Sequence, residues 1–261
     1  MVTLTGRVPA PRRLVLAVLC LAAMTVACGG SEQKSAPAPA ATEPPPPPID
    51  PATVASISGR ITLEGMPPKA DRVQTKSDPN CKEPVFTQTF LVGGGGTLGN
   101  VFVYVKSGLG KRTFAAPATP VVLSQKNCTY VPHVLGMMAG QPLELRNEDP
   151  TLHNIHAIPA NNREFNMAQQ IQGMRQQHTF SAADVLIPFK CDVHNWMRAY
   201  VGVVDNPFFA VTGADGSFEI KGLPPGTYEI EAVHEKLGRQ TQTITVGAKE
   251  SKSDVAFNFK V

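Results

Sequence analysis

The sequence predicts an all-β protein, and three observations carry that expectation. Short runs of β-branched and aromatic residues recur along the chain, as in Val101-Phe102-Val103-Tyr104-Val105. Others alternate apolar and polar residues, as in Ile57-Ser58-Gly59-Arg60-Ile61-Thr62-Leu63. Breaks rich in Gly and Pro separate them, and no helical period is sustained anywhere. Many short strands at close spacing argue for a sandwich or barrel.

The front of the chain stands apart. Arg7, Arg12 and Arg13 precede an apolar run over residues 14–27 that ends Thr25-Val26-Ala27-Cys28. Charged, apolar and small-residue zones in that order describe a secretory leader over residues 1–27. The run is short for a membrane span. A Cys directly after a small residue resembles the bacterial lipoprotein cleavage site, which implies lipidation at Cys28 and a lipid-anchored protein in the periplasm or on the outer membrane. Gly29 is not the acidic residue that retains many lipoproteins at the inner membrane. Ordinary cleavage, with Cys28 an unmodified thiol, is the alternative. Residues 28–54 include five consecutive prolines, 44–48, and read as a tether.

Net charge is +3, and the three leader arginines account for it, so the mature chain is near neutral. No basic stripe argues for nucleic acid. No charge block argues for electrostatic attachment to a membrane, which leaves the lipid.

Past the tether the strand signals come in order. Residues 57–63 and 101–105 fall in a first β segment, 55–118. Residues 121–123, 142–146, 185–189 and 200–204 continue the series across 119–206. Gly93 to Gly96 lies far from any helix signal and reads as a hairpin tip. Only residues 164–177, rich in Gln and other polar residues, offer a helical turn or two on the surface. In 207–261, Asp215-Gly216 and Pro224-Pro225-Gly226 read as hairpin turns between alternating strands. That tail resembles the second half of the carboxypeptidase regulatory-like, transthyretin-like β-sandwich. Its first half would come from residues 57–63 and 101–105, with 119–206 inserted between; the sequence leaves this and a simple tandem order both open.

The chemistry concentrates in Cys191-Asp192-Val193-His194-Asn195-Trp196-Met197, where a thiol, an imidazole and a thioether are spaced C-x2-H-x2-M. Upstream, Leu152-His153-Asn154-Ile155-His156 offers a second imidazole. One Cys, two His and a weak Met suit a soft metal ion that cycles between two oxidation states, because a Cys/His/His plane with a distant thioether is acceptable to both Cu(I) and Cu(II). The alternative is structural: a buried Cys as a small hydrophobe, a hydrogen-bonded His and Met197 as core filler. His156, three positions past His153 on an extended strand, points to the opposite face. His133, His178 and His234 lack partners at ligand spacing, and Met167 and Met174 read as packing residues.

These segments resemble the cupredoxins, the amicyanins most closely, over about 85 residues. The resemblance implies one copper held by His153, Cys191 and His194, with Met197 axial. It implies a hydrogen bond from Asn154 that supports the ligand loop. It also implies that His194 is the ligand nearest solvent, with Val193 and Trp196 on the face that docks a redox partner, a cytochrome or an oxidoreductase. An electron carrier is the leading expectation, and a copper-binding or delivery protein the alternative. A multicopper enzyme would need H-x-H pairs, which the chain lacks.

Five cysteines complete the reading. Cys20 leaves with the leader, Cys28 carries the lipid and Cys191 lies in the metal loop, which leaves Cys81 and Cys128. In an oxidising compartment a disulfide is the default. A second metal site with His133 is the alternative.

Overall fold

The computed structural model describes residues 46–261. The leader, Cys28 and the tether up to residue 45 lie outside the described residues. The rest of the expected tether rests on the folded body, where Ile49 packs against the core.

Period-two burial sets the first strand. Along β1 (Ala55–Glu64), Ala55, Ile57, Ile61 and Leu63 are buried and Arg60 and Glu64 exposed. In β2 (Phe102–Ser107) both faces are buried: Val103 and Val105 join one core, Phe102 and Tyr104 another. Nine strands follow: β3 (Val121–Lys126), β4 (Thr129–Val131), β5 (Val134–Met138), β6 (Pro142–Asn147), β7 (His153–Ala157), β8 (Phe165–Gln169), β9 (Arg175–Thr179), β10 (Asp184–Lys190) and β11 (Arg198–Val204). The chain closes with β12 (Phe209–Val211), β13 (Ser217–Leu223), β14 (Gly226–His234), β15 (Gly238–Val246) and β16 (Ser251–Lys260).

These strands form four sheets, ordered β13-β1-β16, β12-β2-β14-β15, β4-β3-β6-β9 and β5-β11-β10-β7-β8. The first two share a core that includes Ile57, Ile61, Ile230, Phe257 and Phe259. The last two share another, around Leu123, Leu143, Leu145, Ile155, Phe180 and Phe189. Strands β3 to β11 therefore form a sandwich of their own, inserted between β2 and β12. Those two strands are antiparallel neighbours, with Phe209 opposite Tyr104 and Val211 opposite Phe102, so the insert leaves and rejoins the outer sandwich at one place.

The two sandwiches share a wall of Phe102, Tyr104, Val134, Val204 and Val233. Gly136 and Gly202, paired across β5 and β11, give the Phe102 ring its room. A Cβ at Gly202 would come within 2.6 Å of the ring, and one at Gly136 within 2.8 Å.

Two expectations are corrected. Residues 164–177 hold no helix; they belong to β8, the following turn and β9. Both strands lie at sheet edges, so only every second side chain is covered, Phe165 and Met167 in β8, and the solvent-facing positions stay polar. The turns at Asp215-Gly216 and at Pro224-Pro225-Gly226 are not hairpins. They join β12 to β13 and β13 to β14, and each pair belongs to different sheets. A tight turn makes a corner as readily as a hairpin, and only the pairing of the flanking strands distinguishes them. The hairpin of this region is β14–β15, in register from Gly226–Val246 to His234–Gly238.

Candidate metal centre

Strands β10 and β11 are antiparallel and close at Lys190 opposite Arg198, so residues 191–197 project from the end of the pair. Backbone bonds curl this loop tightly: Met197 N donates to His194 O at 2.9 Å and Cys191 N to Met197 O at 3.4 Å. The His194 N–H donates to Cys191 Sγ at 3.3 Å. Strand β7 pairs with β10 through His156 opposite Lys190, which brings His153, the first residue of β7, beside the loop.

Asn154 locks the two segments together. Its Oδ1 accepts the backbone N–H of Asp192 at 2.7 Å and of Val193 at 3.3 Å, and the Cys191 thiol at 3.3 Å. Its Nδ2 donates to Asn166 at 2.7 Å and to Asp192 at 3.2 Å. The Tyr130 hydroxyl donates to its backbone carbonyl.

Cys191 Sγ and one nitrogen each from His153 and His194 lie within 4.8 Å of one another, and all three side chains are buried. The two Nδ1 atoms face each other at 2.9 Å, and Sγ lies 3.9 Å from His194 Nδ1. Each imidazole is held from behind by a carboxylate. His153 Nε2 donates to Asp149 at 2.9 Å and His194 Nε2 to Asp78 at 3.0 Å. Such outer bonds set the ring orientation and the tautomer, leaving Nδ1 to present its lone pair inward. Met197, 1% exposed, packs in the same core cluster as Cys191.

The electrostatics suit a cation. Burial pushes the Cys191 thiol up, but hydrogen bonds from His153 and the surrounding backbone outweigh it and lower its pKa. Burial disfavours protonated His153, but Asp149 and the thiolate outweigh burial and raise its pKa. His194 is lowered, chiefly by burial. Asp78 is held down at about 2, because bonds from Thr151, Asn80 and His194 overcome its desolvation. A thiolate, two inward-facing imidazole nitrogens and a buried thioether are the donors a soft or borderline ion takes, and they fit copper.

The structure joins Cys81 to Cys128, so those thiols are not available to the alternative site with His133. That imidazole is buried and bonds Glu235 at 2.6 Å and the Arg198 carbonyl at 3.1 Å. His156 bonds Asp192 at 2.9 Å and Glu164 at 2.7 Å, apart from the donor cluster. His234 bonds the Thr89 carbonyl, and His178 stacks between Phe165 and Phe180. Met167 packs against the core, and Met174 Sδ accepts the Gln170 N–H.

All four expected ligands are buried: His194 is 2% exposed, Cys191 and Met197 1% and His153 0%, and Asp78, from the first β segment, covers the Nε2 of His194. Of the two residues assigned to docking, Val193 is 50% exposed. Trp196 is partly buried on the core, 5.1 Å from the His194 ring, and donates to the Cys128 carbonyl at 3.0 Å. Sequence reading missed both carboxylates. Asp149, four residues before His153, was within reach of a spacing argument. Asp78, 116 residues from His194, carries no local signal.

No family model matches this chain, and no curated protein is significantly similar to it. Solved structures resemble parts of it. A copper-containing nitrite reductase from Thermus scotoductus is 21% identical over 36% of this chain, with a TM-score of 0.31, and this chain spans 26% of that protein's length. A purple cupredoxin from Nitrosopumilus maritimus is 25% identical over 32% of this chain and 97% of its own, with a TM-score of 0.28. An amicyanin variant is 20% identical over 39% of this chain and 97% of its own, with a TM-score of 0.29.

Proposed function

We propose that the protein is a cupredoxin-type copper protein that carries electrons outside the cytoplasmic membrane, exchanging them with a cytochrome or an oxidoreductase and performing no catalysis alone. The observation that carries this reading is the convergence of one thiol and two imidazole Nδ1 atoms, with each Nε2 already engaged by a carboxylate. Copper would supply a one-electron couple. Cys191 would bind it as thiolate, His153 and His194 through Nδ1, and Met197 as the weak fourth donor. Asn154 holds the loop to β7, and Asp78 and Asp149 keep both rings aimed, so little has to move between oxidation states.

The test is a visible spectrum after addition of Cu(II), which should show an intense thiolate-to-copper band. Cys191→Ser should abolish the band while leaving the far-ultraviolet β signal intact; colour that survives this change overturns the assignment. Met197→Gln should keep copper bound and lower the reduction potential, because an oxygen donor favours Cu(II). An unchanged potential removes Met197 from the ligand set.

A second reading, copper holding or delivery, is favoured by the burial of His194. It expects a colourless Cu(I) form that passes to an acceptor more readily than an electron does. In either reading the protein is tethered by lipid at Cys28. Cys28→Ala should release it from the membrane fraction, and unchanged fractionation would refute the anchor.

A further inference from the structure

Residues 65–92 form a strap that leaves the outer sandwich after β1 and crosses the end of the inserted one. Its own architecture is slight. Val73 N bonds Val85 O at 2.8 Å and Thr87 N bonds Asp71 O at 3.0 Å, which makes a short two-stranded ladder with a turn around Asp78. Between Met66 and Val92 only Cys81 and Val85 are buried. Phe86 is 50% exposed. Against the ligand loop the strap is loosely packed, with a cavity of about 140 Å³ lined by Val73, Val85 and Phe86 on one side and Trp196 and Met197 on the other.

Its return end is fastened to the outer sandwich, where Asn100 and His234 donate to the Gln88 and Thr89 carbonyls, and what holds it over the insert is concentrated at its tip. Asp78 accepts from Thr151 at 2.6 Å and from His194 at 3.0 Å. Three residues later, Cys81 is bonded to Cys128. Cys128 belongs to the same support: its N–H donates to Asp149 at 2.8 Å and its carbonyl accepts Trp196. The disulfide therefore links the carboxylate behind one imidazole to the carboxylate behind the other.

We infer that this strap is a disulfide-pinned cover over the metal centre, that Asp78 is a positioning residue for His194, and that release of the strap sets the rate at which ions and reagents reach the donor set. The physical argument is a contrast of strengths. A segment whose backbone bonds are mostly internal to it, and which buries only two side chains, opens locally at little cost. A covalent cross-link closing a loop of this length restrains it far more than those contacts do. With the link intact, the thiol and both imidazoles are 2% exposed or less. Without it, the Asp78 bonds are what hold the tip over the donor set, since the bonds to the Gln88 and Thr89 carbonyls fasten only the strap's return to the outer sandwich. The inference rests on the metal-site reading for its purpose, but the gating of Cys191 can be measured without metal.

The experiment uses the full chain and the Cys81→Ser/Cys128→Ser variant, each free of metal, treated with iodoacetamide under native conditions, with Cys191 modification followed by peptide mass. Labelling should be at least about tenfold faster in the variant, as expected when the main restraint on a locally unstable segment is lost. Copper(II) sulfate uptake followed by absorbance should accelerate in parallel and end at the same spectrum. A second variant, Asp78→Asn with the disulfide intact, should show a smaller acceleration and a shifted charge-transfer band; it guards against a double variant that fails to fold. Rapid labelling of the unaltered chain, or equal rates in all three proteins, would overturn the cover. If labelling behaves as expected and no protein takes up copper, the cover stands and the copper reading falls.

Discussion

In the outer sandwich the buried Glu231 finds cations and a hydroxyl as partners, whereas in the inserted one a thiol and two imidazole nitrogens converge on one another. The Glu231 side chain, 3% exposed, meets Lys106 at 2.8 Å, Arg239 at 2.6 Å and the Tyr104 hydroxyl at 2.9 Å. At the end of the inserted sandwich, Asp149 and Asp78 are similarly satisfied, but what they satisfy is the rear of two imidazoles. The front nitrogens face each other at 2.9 Å beside a thiol, the arrangement in which the proposed copper would sit. Two sandwiches of similar construction thus differ in where their polar groups find partners. Burial of charge alone marks no function; a buried thiol and two imidazoles converging on one point are a candidate site.

Core truncation should widen the contrast most. Phe257→Ala, in the outer core and fully buried, should cost about 3–5 kcal/mol of stability. Molecules that remain folded should keep the charge-transfer band, measured by chemical denaturation followed at two wavelengths. Asp149→Asn should do the reverse, lowering copper affinity about 10–100-fold with a smaller fall in melting temperature. A change in stability but not in affinity would make Asp149 a scaffold residue.

Glu231→Gln should cost about 1–3 kcal/mol, the loss of charge-assisted bonds at a buried group. The pH dependence has a definite sign. Burial raises the Glu231 pKa, but bonds from Lys106, Arg239 and Tyr104 outweigh it and hold it below 4.5. The folded state therefore binds the proton more weakly than the unfolded one, and this contribution is present above 4.5 and lost as pH falls through the folded value. The gap between the natural chain and Glu231→Gln should close in acid, and a gap constant with pH would remove the charge from the account. Ile171→Ser, 67% exposed in the turn between β8 and β9, should change stability by no more than about 0.5 kcal/mol and leave copper binding alone.

Much of this was legible in the residues because its signals are local. The alternation in residues 57–63 falls within β1 and all but the first residue of the run 101–105 within β2, and the C-x2-H-x2-M spacing is a property of one loop. What escaped reading depends on distant partners. β8 and β9 are polar because they are edges, and edges are defined by strand order. The corners at Asp215-Gly216 and Pro224-Pro225-Gly226 have the composition of hairpins. His194 is bonded from behind by Asp78, 116 residues away, so its ligand spacing was visible and this carboxylate was not.

The pairing of β1 with β16 has a consequence for how the molecule comes into being. Ser56 lies beside Ser251 and Glu64 beside Lys260, in parallel, so the sheet of the first described strand is complete only once the last has been made. Contacts of such long sequence separation form late, after the entropy of closing the chain between them has been overcome. Every strand of the insert, by contrast, finds its partners within residues 121–204. During directional synthesis or export the insert can be finished while the outer sandwich is still two unjoined halves. A truncation that removes β16 should therefore leave a chain whose donor cluster assembles on schedule within an incomplete shell, and pulsed hydrogen exchange should find β10 and β11 protected before β1.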